Sequence, residues 1–204
     1  NLRLAEKMIT VTGKVLDLGG RALSFGHNNP RGASYFRFLK FENAEILRLD
    51  IDSETSPDYN IDFEKDPLPF KENSVDTVLA FNLFEHIYNH KFLIKEISRV
   101  LKPGASMLGS VPFLVRIHPD PKDFFRYSKD ALEQLFLEAN FGKIIVEYVG
   151  LGPFVCQYSQ IEFICPRIIR PVLASIFILM DRAFLRLKPH LTGRFPINFI
   201  FIVE

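Results

Sequence analysis

From residue 14 to about residue 150, short apolar runs of strand length alternate with helical stretches, and this alternation constrains the fold most. Residues 14–18 (KVLDL), 45–51 (EILRLDI), 59–61, 75–81 (VDTVLAF), 105–113 (ASMLGSVPF) and 143–150 (KIIVEYVG) read as strands, and 195–204 (FPINFIFIVE) is strand-like through Val203. Between them, residues 89–101 put Phe92, Leu93, Ile97, Val100 and Leu101 on one helical face, and Lys102-Pro103-Gly104 is a helix stop. A further helix begins at Ser128, with Asp130 and Glu133 in its first turn, and ends near residues 140–142. Strands joined by helical crossovers run mainly parallel and take helices on both faces. The expected fold class is therefore α/β, with a seven-stranded, mostly parallel sheet.

Length and composition bound the rest. The 204 residues suit a single domain, and 48% hydrophobic residues, with 21 Phe among them, supply a sizeable core. A net charge of +1 gives no electrostatic reason to expect nucleic acid. Cys156 and Cys165 lie nine apart in an apolar stretch and match no metal-ligand spacing, so no metal is expected and a reduced, cytoplasmic setting is. Residues 1–14 lack the apolar core of a signal peptide, and residues 1–12 are read as an N-terminal helix. The longest apolar run, residues 172–180, is short of the roughly 20 residues of a membrane span.

The domain divides into a core over 13–150, an insertion over 151–194 and a last strand over 195–204. The insertion is apolar, with Ile169, Val172, Leu173, Ile176, Phe177, Met180, Phe184 and Leu187 at helical spacing. Residues 151–204 carry a charge of +3, against −2 for the rest. Three readings stay open: a packed helix covering the sheet or a dimer interface, a substrate lid, or a peripheral membrane contact through residues 167–188.

The run VLDLGG (15–20) leads a buried strand through one acid, Asp17, into two glycines, which lets backbone approach a ligand closely. In open α/β sheets such turns lie at the carboxyl ends of strands, where ligands bind. Four further pieces follow in order: LDID (49–52), DPLPFKENSVDTVLAFNLFEHI (66–87), EISRVLKPGASMLGSVPF (96–113) and FRYSKDALEQLFLEANF (125–141). With these the chain resembles the class I S-adenosylmethionine-dependent methyltransferases, in particular the broad type 11 group, over about residues 13–150.

The resemblance implies a Rossmann-like sheet and S-adenosylmethionine as cofactor. It assigns Gly19 and Gly20 to the methionine part, and Asp17 to the cationic amino end. Asp50 takes the ribose hydroxyls, with Asp52 as its rival. Asp62 takes the adenine amino group, with Phe63 covering the ring, and Asn82 and Leu83 lie where the fourth strand opens. One departure stands out: the family pattern D-x-G-x-G has Arg21 in place of its last glycine. Asp17 and Asp50 are also 33 residues apart, longer than the approximately 20 of a compact dinucleotide unit.

Methyl transfer from a sulfonium is a direct displacement, so the protein supplies alignment and, for an oxygen or nitrogen acceptor, a base. Glu85 and His86 follow the fourth strand, and the loop RIHPDPKDFFRYS (116–128) follows the fifth. His118 and His86 are the candidate catalytic residues, since imidazole titrates near neutral pH. Arg126 and Tyr127 are the candidate substrate residues, Arg126 as a two-pronged clamp for a carboxylate or phosphate. In the opposing reading HPDP is a turn, Glu85-His86 caps a helix, and Arg126 pairs with Asp123.

The expected function is methyl transfer to a small-molecule, glycan-precursor or lipid-linked acceptor, in a cytoplasmic or membrane-associated protein. The alternative is a catalytically silent cofactor-binding or interaction module with an eroded glycine loop. A nicotinamide oxidoreductase is disfavoured by the missing G-x-G-x-x-G, and nucleic-acid methylation by the lack of a basic stripe.

Overall fold

Side chains alternate across a strand, so one strand can feed two apolar layers when both parities are hydrophobic. In the first strand, β1 (Ile9–Leu18), Val11 and Val15 enter one layer, and Leu16 and Leu18 the other. The structure is a computed structural model that describes residues 9–20 and 39–204. The remaining strands are β2 (Leu39–Asp50), β3 (Tyr59–Asn60), β4 (Val75–Phe81), β5 (Leu101–Pro112), β6 (Ile144–Val149) and β7 (Asn198–Val203). The described helices are α1 (His90–Val100), α2 (Lys129–Glu138), α3 (Pro153–Ile161) and α4 (Arg170–Leu187), with short 3-10 turns between elements.

The strands form one seven-stranded sheet in the order β3-β2-β1-β4-β5-β7-β6. All neighbours run parallel except β7, which is antiparallel to both β5 and β6. This is the expected mostly parallel sheet. The larger apolar layer joins Leu93, Ile94, Ile97 and Val100 of α1 and Leu132 and Phe136 of α2 to Phe199, Phe201 and Val203 of β7. The opposite layer, around Val11, Val15, Leu79 and Leu108, is drawn from strand residues.

Two local expectations change. Residues 9–12 belong to the outer half of β1 and not to the end of a helix, because residues 9–11 pair with residues 39–41 of β2. Residues 1–8 lie outside the described residues. The stop signal Lys102-Pro103-Gly104 sits inside β5, where the pairing jumps from Val75↔Leu101 to Thr77↔Ser106 and Gly104 adopts φ +77°. A chain leaving α1 directly into β5 needs such a bulge, and glycine accommodates it.

The insertion is a helical pair. Tyr158 of α3 stacks on Phe177 of α4 at 5.1 Å, and Phe154 meets Phe184 edge-on at 5.9 Å. Asp181, wholly buried on α4, accepts hydrogen bonds from the first free N–H groups of α3, Phe154 N at 3.0 Å and Val155 N at 2.8 Å. The outer side of the pair is apolar and open: Ile168, Val172, Leu179 and Leu187 are each more than half exposed. Among the described residues no helix is long and apolar enough to cross a membrane.

Candidate active site

The carboxyl ends of β1, β2 and β4 meet at a cavity of about 270 Å³. Its walls include Gly19 after β1, Asp50 at the end of β2, Asp62 and Phe63 after β3, and Asn82 and Leu83 after β4. Four separate strand ends thus bring six of the residues singled out for the cofactor to one place. Parallel strands do this automatically, because all their carboxyl ends share an edge.

Each wall residue has a local reason for its position. Gly19 has φ +72° and donates its N–H to the Leu49 carbonyl at 2.8 Å, and an added Cβ would stand 3.1 Å from Leu83 Cδ1. Only glycine turns the chain there at no cost. Asn82 also has positive φ, +50°, and its Oδ1 accepts from the Ser110 hydroxyl at 3.0 Å, which ties β4 to β5. Asp50 is 5% exposed, and one of its oxygens accepts from Asp52 N at 2.8 Å. Asp52, the rival, turns instead to cap the next 3-10 turn, accepting from Glu54 N at 2.9 Å. Of the two acids, Asp50 is the one that borders the cavity.

Asp62 accepts from Glu64 N at 3.0 Å and from Lys65 Nζ at 2.6 Å, and the lysine bond holds its carboxyl below the usual range. Phe63 is 3% exposed and joins the main core while still bordering the cavity. Asp17 and Gly20 are not among the residues lining the cavity. The Asp17 carboxyl is packed beneath the turn, where a Cβ on Gly20 would lie 2.8 Å from Asp17 Oδ2. Among the described residues that oxygen has no hydrogen-bond partner, and burial pushes the carboxyl well above the carboxylate range. Arg21 lies outside the described residues.

The same cavity is bordered by His86, Ile87, Asp120, Pro121, Lys122 and Phe124. The loop after β5 is therefore one of its walls. His86 anchors that loop through Nδ1 and the Lys122 carbonyl, 2.6 Å apart, while the Glu85 carbonyl accepts from Phe124 N at 2.7 Å. His118 is not in the cavity wall. It sits behind His86, the two rings edge-on at 5.3 Å.

The structure gives Arg126 and Tyr127 a different task from the one expected. Arg126 binds both oxygens of Asp123 and also donates to the carbonyls of Val115, Arg116 and Phe125, so its donors are spent on the loop itself. Asp123 is in turn held far below the usual range, first by that arginine. Tyr127 is buried, and its hydroxyl donates to the Phe84 carbonyl at 3.0 Å. Both brace the loop against the end of β4. The three-residue spacing of Asp123 and Arg126 signals this pairing in the sequence.

Glu85 is the residue whose setting the sequence did not reveal. It is wholly buried, and among the described residues neither carboxylate oxygen has a hydrogen-bond partner. Burial, reinforced by the charge of Asp123, pushes its pKa up to about 8. His86 Nε2 and His118 Nε2 both face its Oε1, at 3.6 Å and 3.7 Å.

A sheet of this strand order, with one reversed strand and a ligand cavity across the ends of β1, β2 and β4, is the fold of the class I S-adenosylmethionine-dependent methyltransferases. Residues 32–108 match the model of the methyltransferase domain family. The match begins after the Gly19-Gly20 turn and Arg21, the place where the sequence leaves the family pattern.

Solved structures agree on the fold. An S-adenosylmethionine-dependent methyltransferase from Archaeoglobus fulgidus superposes with a TM-score of 0.56 at 14% identity, covering 93% of this chain and 85% of that one. Phosphoethanolamine N-methyltransferase 2 of Haemonchus contortus, solved with phosphomonomethylethanolamine and S-adenosylhomocysteine, gives 0.54 at 16% identity, over 96% of this chain and 49% of that one. The chain thus spans about half the length of the Haemonchus enzyme. The [4+2]-cyclase SpnF gives 0.58 at 14% identity, over 98% and 78%. A cyclase on the same scaffold shows that the fold alone does not specify the reaction. No curated protein matches the chain in sequence.

Proposed function

We propose that the chain transfers a methyl group from S-adenosylmethionine to a small-molecule, glycan-precursor or lipid-linked acceptor. The observation that carries this reading is the convergence of Gly19, Asp50, Asp62, Asn82 and Leu83 on one cavity at the carboxyl edge of the sheet. The residues suit the cofactor. Gly19 offers close backbone, in a positive-φ conformation that residues with a side chain rarely adopt. Asp50 is a nearly buried carboxylate that borders the cavity, and a carboxylate can accept from two adjacent hydroxyls. Asp17 lies just below that turn, its carboxyl buried and an oxygen unpaired among the described residues.

When bound, the sulfonium supplies an activated methyl, and the displacement needs no covalent help from the protein. The chain's own part is alignment. Phe63 and Leu83 keep the cavity wall apolar, and Asp120, Pro121, Lys122 and Phe124 face it from the loop after β5. His86 is the imidazole in that wall, with Nδ1 given to the Lys122 carbonyl and Nε2 turned to Glu85. His118 stands one shell further out and acts through Glu85 and His86. With Arg126 spent on Asp123, recognition of an anionic acceptor falls to Lys122.

Calorimetry with S-adenosylhomocysteine tests the assignment. Asp50→Ala should weaken binding by about 1–3 kcal/mol, and Asp52→Ala should leave it nearly unchanged. Equal losses in both variants would remove Asp50 from the site.

The open side of α4 favours a lipid-linked acceptor or a membrane-bound setting. Apolar Ile168, Val172, Leu179 and Leu187 alternate there with Arg167, Arg182, Arg186 and Lys188, a combination suited to an anionic bilayer surface. Co-sedimentation with phosphatidylserine-containing vesicles should fall when Leu179 and Leu187 are changed to Ser, and fall again with salt. Equal binding by wild type and variant would rule this surface out.

A further inference from the structure

Three atoms of ligand type converge beside the cavity, and among the described residues nothing donates to the carboxylate in their midst. Glu85 Oε1 has His86 Nε2 at 3.6 Å and His118 Nε2 at 3.7 Å, and all three lie within 4.8 Å of one another. The tautomers follow from the other ring nitrogens. His86 Nδ1 lies 2.6 Å from the Lys122 carbonyl and His118 Nδ1 3.0 Å from the Arg116 carbonyl, so in each neutral ring Nδ1 carries the hydrogen and donates it. Both Nε2 lone pairs then point at a carboxylate whose two oxygens are buried and unpartnered.

A shared proton does not resolve this arrangement. It would serve one imidazole and leave the other facing an acceptor. The separations are also too long for hydrogen bonds, which for such atoms span about 2.5–3.2 Å. The two carboxylate–imidazole separations fit atoms bridged by a cation: a zinc ion with ligands at about 2.0–2.2 Å and angles of about 110–120° holds neighbouring ligand atoms roughly 3.3–3.8 Å apart.

We propose that Glu85, His86 and His118 form a binding site for a divalent first-row transition ion, at the edge of the cofactor cavity. Two imidazoles and one carboxylate favour zinc, cobalt, iron or manganese over magnesium and calcium, which prefer oxygen alone. The surroundings are built for the purpose. Backbone carbonyls of the loop orient both rings, and Asp123, gripped by Arg126, accepts the His118 backbone N–H at 2.9 Å. Such outer supports are what fix ligand orientation in metal sites. This gives the Arg126–Asp123 pair and the rigid 116–127 loop a reason beyond filling a turn.

Because His86 also lines the cavity, the ion would stand next to the acceptor. A metal there would lower the pKa of a bound hydroxyl, so that the acceptor could give its proton to water before the methyl is transferred. This catalytic use rests on the methyl-transfer reading; the metal site itself rests only on the geometry.

The test uses chelator-stripped protein titrated with Zn²⁺ by calorimetry and with Co²⁺ by visible absorption. The expected result is one ion per chain, a cobalt spectrum of mixed nitrogen and oxygen ligation, and a loss of affinity greater than about 10-fold in His118→Ala and Glu85→Gln. His190→Ala, on the surface, should bind as wild type does. Absence of a stoichiometric site in the wild-type protein would overturn the proposal, as would equal affinity in wild type and His118→Ala. If a variant fails to fold, the wild-type cobalt spectrum still decides. S-adenosylhomocysteine binding to the stripped protein separates failure of this site from failure of the cofactor reading.

Discussion

Two buried acids show how side-chain setting, and not residue type, decides what a carboxylate does here. Asp17 lies beneath the glycine turn with one oxygen unpartnered, and its pKa is raised chiefly by burial. A carboxyl whose folded pKa exceeds its unfolded value of about 3.9 costs nothing when protonated in both states. The cost grows as pH rises from that value toward the folded one, so the ligand-free protein should lose stability over this range. Asp17→Asn should flatten the trend, raising the melting temperature at pH 7 more than at pH 4, while weakening S-adenosylhomocysteine binding. A variant equally destabilised at both pH values would contradict the assignment. Neither acid's burial could be read in the sequence. Asp17 at least belongs to a recognisable turn, whereas Glu85 in NLFEH has only its apolar neighbours to hint at enclosure. That Asp50 and not Asp52 borders the cavity likewise needed coordinates, because residues two apart share a face on a regular strand and β2 ends at Asp50.

At the scale of elements, the glycines and caps carry sharper predictions than the apolar faces. Gly109 in β5 lets the Phe201 ring of β7 lie across it: an added Cβ would stand 2.2 Å from the Ala80 carbonyl and 2.4 Å from Phe201 Cζ. Backbone cannot retreat from such a contact, so Gly109→Ala should cost about 3 kcal/mol or more in chemical denaturation. A loss under about 1 kcal/mol would mean the sheet is looser there than described. Asp181 is the key to the insertion. Asp181→Ala should leave two N–H groups of α3 without partners, cost about 1–3 kcal/mol, and open residues 151–194 to proteolysis before the core. Uniform proteolysis of core and insertion would show that the helical pair is not a separate unit. The insertion's helical spacing was legible in the sequence, as were α1 from its one-sided apolar pattern and α2 from Ser128, whose hydroxyl does accept from Ala131 N. The outer half of β1 was not, because Thr10, Thr12 and Lys14 alternate with apolar residues as a half-exposed strand would, beyond the buried run that marked it.

For the whole molecule, strand–helix alternation was enough to foresee the seven-stranded mostly parallel sheet, since short crossovers leave few other arrangements. The position of β7 between β5 and β6 was not legible, because it depends on long-range pairing after an insertion. The sheet places the cavity, and the cavity selects the ligand class: it is small, partly apolar and edged by carboxylates that suit ribose hydroxyls. The central claim is that this edge binds an adenosyl sulfonium or its thioether product. Calorimetry on the wild-type chain with S-adenosylhomocysteine, alongside NADH, tests it most directly. One molecule of S-adenosylhomocysteine bound per chain in the micromolar range, with no heat from NADH, is the predicted result. Failure to bind S-adenosylhomocysteine at millimolar concentration would contradict it.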